Sequence, residues 1–259
     1  MNKNPKPSVA DKLHVQNCVI FGATSAIAQA VAVLHARQGY TMALIGRNSE
    51  KLNQIKANLE VQGAPSVSIH VQDLNDFEQH QPLIQQILQE IGTLDRVLIA
   101  QGTLPDQIAL QQDYALTEQC IKDNALNTIS LCSHIATLLE QQKSGIIAII
   151  SSVAGDRGRQ SNYIYGACKA MVTTFAAGLR NRLAIANAHV VTIKPGFVDT
   201  PMTAHIAKGA LWAQPEDVAK DIMTAFEKRK NIVYTPWFWR YIMLIIMHVP
   251  EFIFKKLKL

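Results

Sequence analysis

The chain has 259 residues, 48% of them apolar, with 13 glycines and 10 prolines; this suits one large α/β domain with a sizeable core and excludes a disordered chain. The formal charge of +5 is concentrated at the end: from Lys228 onward seven Lys or Arg face Glu251 alone, a net +6, while residues 1–227 carry −1. A basic tail on a near-neutral body is not the spread phosphate-binding surface that duplex recognition needs, so no nucleic-acid partner is expected.

The opening MNKNPKPSVADK has no apolar h-region, which argues against a signal peptide and for a cytoplasmic protein. A first strand is predicted over Val15–Phe21, followed by a helix over Ala26–Gln38. The junction, VIFGATSAIAQAVA, looks like a phosphate-cradling loop that has lost glycines: Gly22 remains, with Ala26 and Ala28 where others would sit. Alanine adds one methyl and serves wherever φ is negative, as in a first helical turn, so only Gly22 at the tight turn is strictly required. Thr24 and Ser25 offer hydroxyls to a phosphate or to the helix cap, and the helix start at Ala26 and Ile27 presents free N–H groups and a positive dipole end.

The second strand, Tyr40–Ile45, ends in Gly46, Arg47 and Asn48. A site for NAD places a carboxylate there, whereas an Arg accommodates a 2′-phosphate, so NADP(H) is the expected cofactor. After the third strand, Ser66–Val71, come Asp73, a partner for an adenine amine or else a helix cap, and Leu74. The fourth strand, Arg96–Ala100, leads to Gln101 and Gly102, and the fifth, Gly145–Ile150, to Ser152.

Tyr165 and Lys169 are spaced i, i+4 and share one helical face. An ammonium beside a phenol favours the phenolate and lowers its pKa from about 10 towards working pH, as an acid/base tyrosine requires. Tyr163 is six residues from Lys169, on another face, and is assigned to the pocket wall or core. In the intervening loop, Asp156 to Asn162, Arg157 and Arg159 read either as a site for an anionic substrate group or as solvated and interface charges.

A sixth strand, His189–Ile193, precedes Pro195 and Gly196. Six apolar strands alternating with helix-length segments predict a single doubly wound Rossmann sheet, parallel and with helices on both faces, whose chemistry lies beyond the carboxyl ends of the strands. Cys18, Cys120, Cys132 and Cys168 form no C-x-x-C pair and the eight histidines are scattered, so reduced thiols and no metal are expected. The catalytic domain is assigned to residues 1–235 and an apolar, basic tail to 236–259. In that tail Trp237 to Met247 is interrupted only by Arg240, and Pro250 separates it from Phe252, Ile253, Phe254 and three lysines. The run is shorter than the roughly 20 residues a spanning helix needs. It suits peripheral contact with the inner face of a membrane, and its alternatives are a lid, packing on the sheet, or an oligomer interface.

Taken together, the loop at Gly22, Ser152, the Tyr-x-x-x-Lys of Tyr165 and Lys169, Asn124 in IKDNALNTISL and the segment IKPGFVDTPM resemble the short-chain dehydrogenase/reductase family over about residues 15–235. The resemblance implies that Tyr165 is the acid/base, that Lys169 lowers its pKa and grips the nicotinamide ribose, and that Ser152 orients the substrate oxygen. It implies that Asn124 supports a water joining Lys169 to solvent, that Pro195 and Gly196 shape the nicotinamide pocket, and that Val198 and Thr200 contact the carboxamide and phosphates. A homodimer or homotetramer paired through the helices of Asn124 and Tyr165 is implied too. The family's Asn-Asn-Ala-Gly reads Ile99, Ala100, Gln101, Gly102 here, which keeps the glycine and loses side chains that brace the sheet.

The tail, SSVAGDRGRQSNYIYGACKA and IKPGFVDTPMT resemble the family's branch of decaprenylphosphoryl-2-keto-ribose reductases, which implies a keto-sugar carried on a polyprenyl phosphate. Alternatives are a 3-oxoacyl or steroid-type carbonyl reductase and, outside enzymes, a non-catalytic NADP-binding, membrane-associated regulator, which an intact Ser152, Tyr165 and Lys169 argue against.

Overall fold

The computed structural model describes residues 16–257; the opening residues, Val15 of the first predicted strand and Lys258 lie outside that range. Strands that are apolar at successive positions need cover on both faces. Six form where expected: β1 (Asn17–Phe21), β2 (Thr41–Gly46), β3 (Val67–Val71), β4 (Arg96–Ile99), β5 (Ile146–Ile150) and β6 (His189–Pro195). Beyond them, β7 (Phe197–Val198) and β8 (Trp212–Ala213) make a small separate ribbon, and β9 (Ile232–Thr235) adds a seventh strand to the main sheet beside β6. That strand was not expected. It is an edge strand whose alternate residues Ile232 and Tyr234 are not buried, so it lacks the continuous apolar signal of the others.

All pairings in the main sheet are parallel, in the order β3-β2-β1-β4-β5-β6-β9. The order reverses between β1 and β4, which opens a crevice at their carboxyl ends. Alternation along β1 sends Cys18 and Ile20 into one core and Val19 and Phe21 into the other. The first core is closed by α1 (Ala26–Arg37), α2 (Ser49–Val61) and, from late in the chain, Phe226 and its neighbours. The second is closed by α3 (His80–Ile91), with α4 (Gln107–Gln112) and α5 (Tyr114–Ile121) leading to α6 (Asn127–Gln142), and by α7 (Tyr163–Ala184). The helix carrying Phe226 is α8 (Pro215–Glu227).

The tail folds against this body. Within α9 (Trp239–His248), Trp239 and Met243 are buried with Val153, among Phe197, Tyr234, Phe238, Ile242 and Ile246. The opposite face leaves Trp237, Tyr241, Leu244 and Ile245 exposed, and α10 (Glu251–Phe254) adds exposed Phe252 and Ile253. No helix among the described residues is long and apolar enough to cross a membrane.

Candidate active site

A cavity of about 400 Å³ opens beyond the carboxyl ends of the strands, and of the residues expected at a site all but Asn48 line it. At one end Gly22 turns the chain with φ +74°, which favours glycine, and a β-carbon there would lie 2.5 Å from the Gln101 nitrogen. Thr24, Ser25, Ala26 and Ile27 follow along the cavity wall. The Ser25 hydroxyl caps α1 by accepting from the Ala28 N–H at 3.2 Å, while Ala26 and Ile27, in the first turn, have no intrahelical acceptor. That turn holds no acidic residue, so the positive end of the helix dipole faces the cavity uncompensated.

At the end of β2, Arg47 lines the cavity, and Lys51, four residues on, joins it. Asn48 does not: its side chain caps α2, accepting from the Lys51 N–H at 2.8 Å. Sequence reasoning thus placed Asn48 at the cavity where the structure puts Lys51, although the position of Lys51 one turn after Arg47, in a helix that starts at the cavity, was a readable signal. Asp73 and Leu74 line the cavity beyond β3. Asp73 caps no helix; its Oδ1 closes a turn with the Asn75 N–H at 3.0 Å, and the Leu74 carbonyl is fixed by His80 Nε2 at 2.9 Å.

The bracing that the replaced asparagine was expected to cost is made another way. Gln101 Nε2 reaches Asn127 Oδ1 at 3.3 Å and Thr128 Oγ1 at 3.2 Å on α6.

At the other end, β5 delivers Ser151 and Ser152. Ser151 is tied to α7, donating to the Lys169 carbonyl at 2.9 Å and meeting Thr173 Oγ1 at 2.8 Å, and this holds the strand end against the helix. Ser152 lines the cavity beside Tyr165, accepting from the Ala154 N–H at 3.1 Å. One helical turn on, Lys169 Nζ lies 5.5 Å from the Tyr165 ring centroid, and Tyr163 points elsewhere, 43% exposed. Asn124 sits in a five-residue π-helical stretch, Lys122–Leu126, between α5 and α6, the type of bulge that re-aims a functional side chain. Its Oδ1 accepts from the Thr103 N–H at 3.0 Å, and its Nδ2 donates to the Cys120 carbonyl at 3.0 Å. Gly102 passes between Asn124 and Lys169: a β-carbon there would be 2.9 Å from Asn124 Oδ1 and 3.3 Å from Lys169 Nζ.

The expected depression of the phenol is not what the protein's own groups produce. Burial pushes Tyr165 up to about 12, with the Ser152 hydroxyl working against it, and burial also pushes Lys169 down to about 8. Desolvation is the largest influence on the phenol, and the Ser152 hydroxyl offsets it only in part.

Pro195, Gly196, Val198 and Thr200 form the far wall. Trp239 of the tail completes it, its indole packed so closely on Gly196 that any β-carbon would clash at 1.9 Å. No local pattern joins residues 196 and 239. Arg157, by contrast, is taken out of the anion-binding reading, since it donates to the Ile246 carbonyl at 2.6 Å and the Val249 carbonyl at 2.7 Å, pairs with Glu251 at 2.8 Å and stacks on Phe254.

Residues 16–210 match the family model described as short chain dehydrogenase. The chain belongs to the short-chain dehydrogenase/reductase family. An uncharacterised oxidoreductase of Mycobacterium tuberculosis is 32% identical over 239 residues, 92% of this chain and 96% of that one. Carbonyl reductase family member 4 of Xenopus laevis is 28% identical, covering 81% of this chain and 90% of that one. The fold matches that of a short-chain type dehydrogenase/reductase from Mycobacterium ulcerans with a TM-score of 0.75 at 19% identity, over 90% of this chain and 96% of that one. The protein is therefore an oxidoreductase, and the family and its fold call for a nicotinamide cofactor. The residues present fit one: an uncompensated helix start for a pyrophosphate at one end, and a half-buried phenol and hydroxyl beside a buried ammonium at the other.

Proposed function

We propose that the protein is an NADP(H)-dependent reductase of a ketone on an amphipathic substrate, with a lipid-linked keto-sugar as the leading class. The observation that carries this reading is the convergence of Ser152, Tyr165, Lys169 and Asn124 on the cavity whose distant end offers Arg47 and Lys51 and no carboxylate at the end of β2. Two cations there suit a 2′-phosphate, which a ribose hydroxyl does not require. The bound nicotinamide supplies the hydride. Ser152 holds the carbonyl oxygen, and Tyr165 donates the proton to it. A phenol kept protonated by burial carries the proton that reduction needs at neutral pH. Lys169 and Asn124, on either side of Gly102, return a proton towards Tyr165, and Lys169 also holds the ribose. Pro195, Gly196, Val198 and Thr200 orient the ring and exclude water.

Val153, Phe197, Met202, Ile206 and Trp239 give the substrate end an apolar wall, and α9 links that wall to an exposed apolar face ending in Lys255 and Lys256. This supports an amphipathic substrate and peripheral membrane contact by residues 236–259, with 1–235 as the catalytic body. The name of the Xenopus relative, a carbonyl reductase, agrees with the reaction class. A 3-oxoacyl or steroid-type ketone is the second reading, because the same apolar wall suits it.

The test is NADPH and NADH oxidation against polyprenyl-phospho-keto-sugars, 3-oxoacyl thioesters and steroids. Tyr165→Phe is expected to lose about 10²–10⁴-fold in turnover while binding NADPH as before. Undiminished function in that variant would make the protein a nucleotide-binding regulator instead.

A further inference from the structure

Beside the proton-transfer residues the cavity holds a cation that the reaction above does not use. Arg159 lines the wall, and its only side-chain hydrogen bond among the described residues is from Nη2 to the Met243 sulfur at 3.1 Å. Its Nε is buried without an acceptor. The nearby carboxylate that might neutralise it is engaged elsewhere: Asp156 Oδ1 is paired with buried Lys194 and Oδ2 accepts from the Tyr234 hydroxyl at 2.9 Å. Burial disfavours the charge on Arg159, and Asp156 offsets this only in part.

One turn before Met243, Trp239 is 3% exposed, lines the same cavity, and has its indole N–H buried with no partner. Buried donors in folded proteins are nearly always satisfied, and a desolvated guanidinium is costly unless an anion meets it. Val153 and Phe197 pack with Trp239, and Met202 and Ile206 add apolar surface to the same cavity.

We infer that Arg159 and the Trp239 indole N–H form a subsite for an oxyanion, a phosphate ester or a carboxylate, carried at the head of an apolar chain on the substrate. The inference rests on the reductase reading for the cavity's role but not for its test. The guanidinium fork takes two oxygens of the anion, the indole N–H takes a third contact, and the chain lies along the apolar wall. Recognition of this kind acts on binding and leaves the proton-transfer groups alone.

The experiment is calorimetric titration of NADPH-saturated protein with octyl phosphate and octanoate, below their micelle concentrations, and with octanol and inorganic phosphate as controls. At least one octyl anion is expected to bind ten-fold or more tightly than either control, with the better of the two naming the oxyanion. Arg159→Gln is expected to remove most of that difference, Arg159→Lys to keep part of it, and Trp239→Phe to lose a smaller part while preserving the ring. Octanol binding as well as the octyl anions, no binding of either anion, or wild-type affinity in both Arg159→Gln and Trp239→Phe would overturn the subsite. Should Arg159→Gln fail to fold, Arg159→Lys and Trp239→Phe decide the matter. The two readings separate cleanly: a protein that reduces none of the ketones yet shows the Arg159-dependent preference keeps the subsite and loses the reaction, and the converse result keeps the reaction alone.

Discussion

The phenol and the ammonium of the Tyr-x-x-x-Lys pair are both displaced from their ordinary values by burial, and in directions that fix how the enzyme should respond to pH. Tyr165, pushed up to about 12, keeps its proton across the working range, so in the proposed mechanism the alkaline limb of the pH profile belongs to Lys169 at about 8. Reductive turnover is therefore expected to be flat below pH 8 and to fall as Lys169 loses its proton above it; a profile that stays level to pH 10 would remove Lys169 from the relay. The same shift has a price in stability. A lysine that titrates near 8 when folded and 10.5 when unfolded costs folding free energy in full below pH 8, and that cost fades between 8 and 10.5, because the unfolded chain then binds more protons. Lys169→Met, inactive, is expected to be more stable than the wild type at pH 7 by about 1–3 kcal/mol, with a smaller margin at pH 9.5, measured by urea denaturation.

At the scale of elements, the attachment of the tail depends on one side chain. Arg157 gathers the Ile246 and Val249 carbonyls at the end of α9, crosses to Glu251 at the start of α10 and covers the Phe254 ring, whose centroid lies 3.6 Å from the guanidinium carbon. Hydrogen bonds from a charged group contribute about 1.5–3 kcal/mol, so Arg157→Ala is expected to speed amide exchange in α9 and α10 by about ten-fold or more while the sheet exchanges as before; unchanged protection there would assign the anchoring to Trp239 and Met243 alone. The sheet itself was legible wherever burial on both faces forces a continuous apolar run; β9 escaped because Ile232 and Tyr234 stay unburied, although β3, the other edge strand, was found with a pattern almost as broken. The residues proposed for proton transfer stood out because their spacing is local: Tyr165 and Lys169 share a turn, and Ser152 follows the end of a strand. What spacing could not carry was contact across the fold, as between Gly196 and Trp239 or Gln101 and α6, nor the balance between desolvation and charge at Tyr165.

Over the whole molecule, α9 lies between two environments: Trp239 and Met243 face the cavity wall, and Ile245, 68% exposed, with Trp237, Tyr241 and Leu244 faces outward, continued by Phe252 at 66%. An apolar face of aromatic and branched side chains beside Lys255 and Lys256 has the composition of an interfacial helix rather than of an ordinary surface, where large apolar side chains occur singly. The protein is expected to sediment with vesicles rich in anionic lipid and to be released as salt shortens the Debye length to about 3 Å near 1 M. Ile245→Ser with Phe252→Ser should weaken that sedimentation several-fold and leave reduction of a water-soluble ketone intact, since neither side chain lines the cavity. Removing residues 236–259 should abolish both, because the deletion takes Trp239 out of the wall. If the double variant binds vesicles like the wild type, the outward face is not what holds the protein to a bilayer; if neutral vesicles serve as well as anionic ones, Lys255 and Lys256 contribute nothing to that binding.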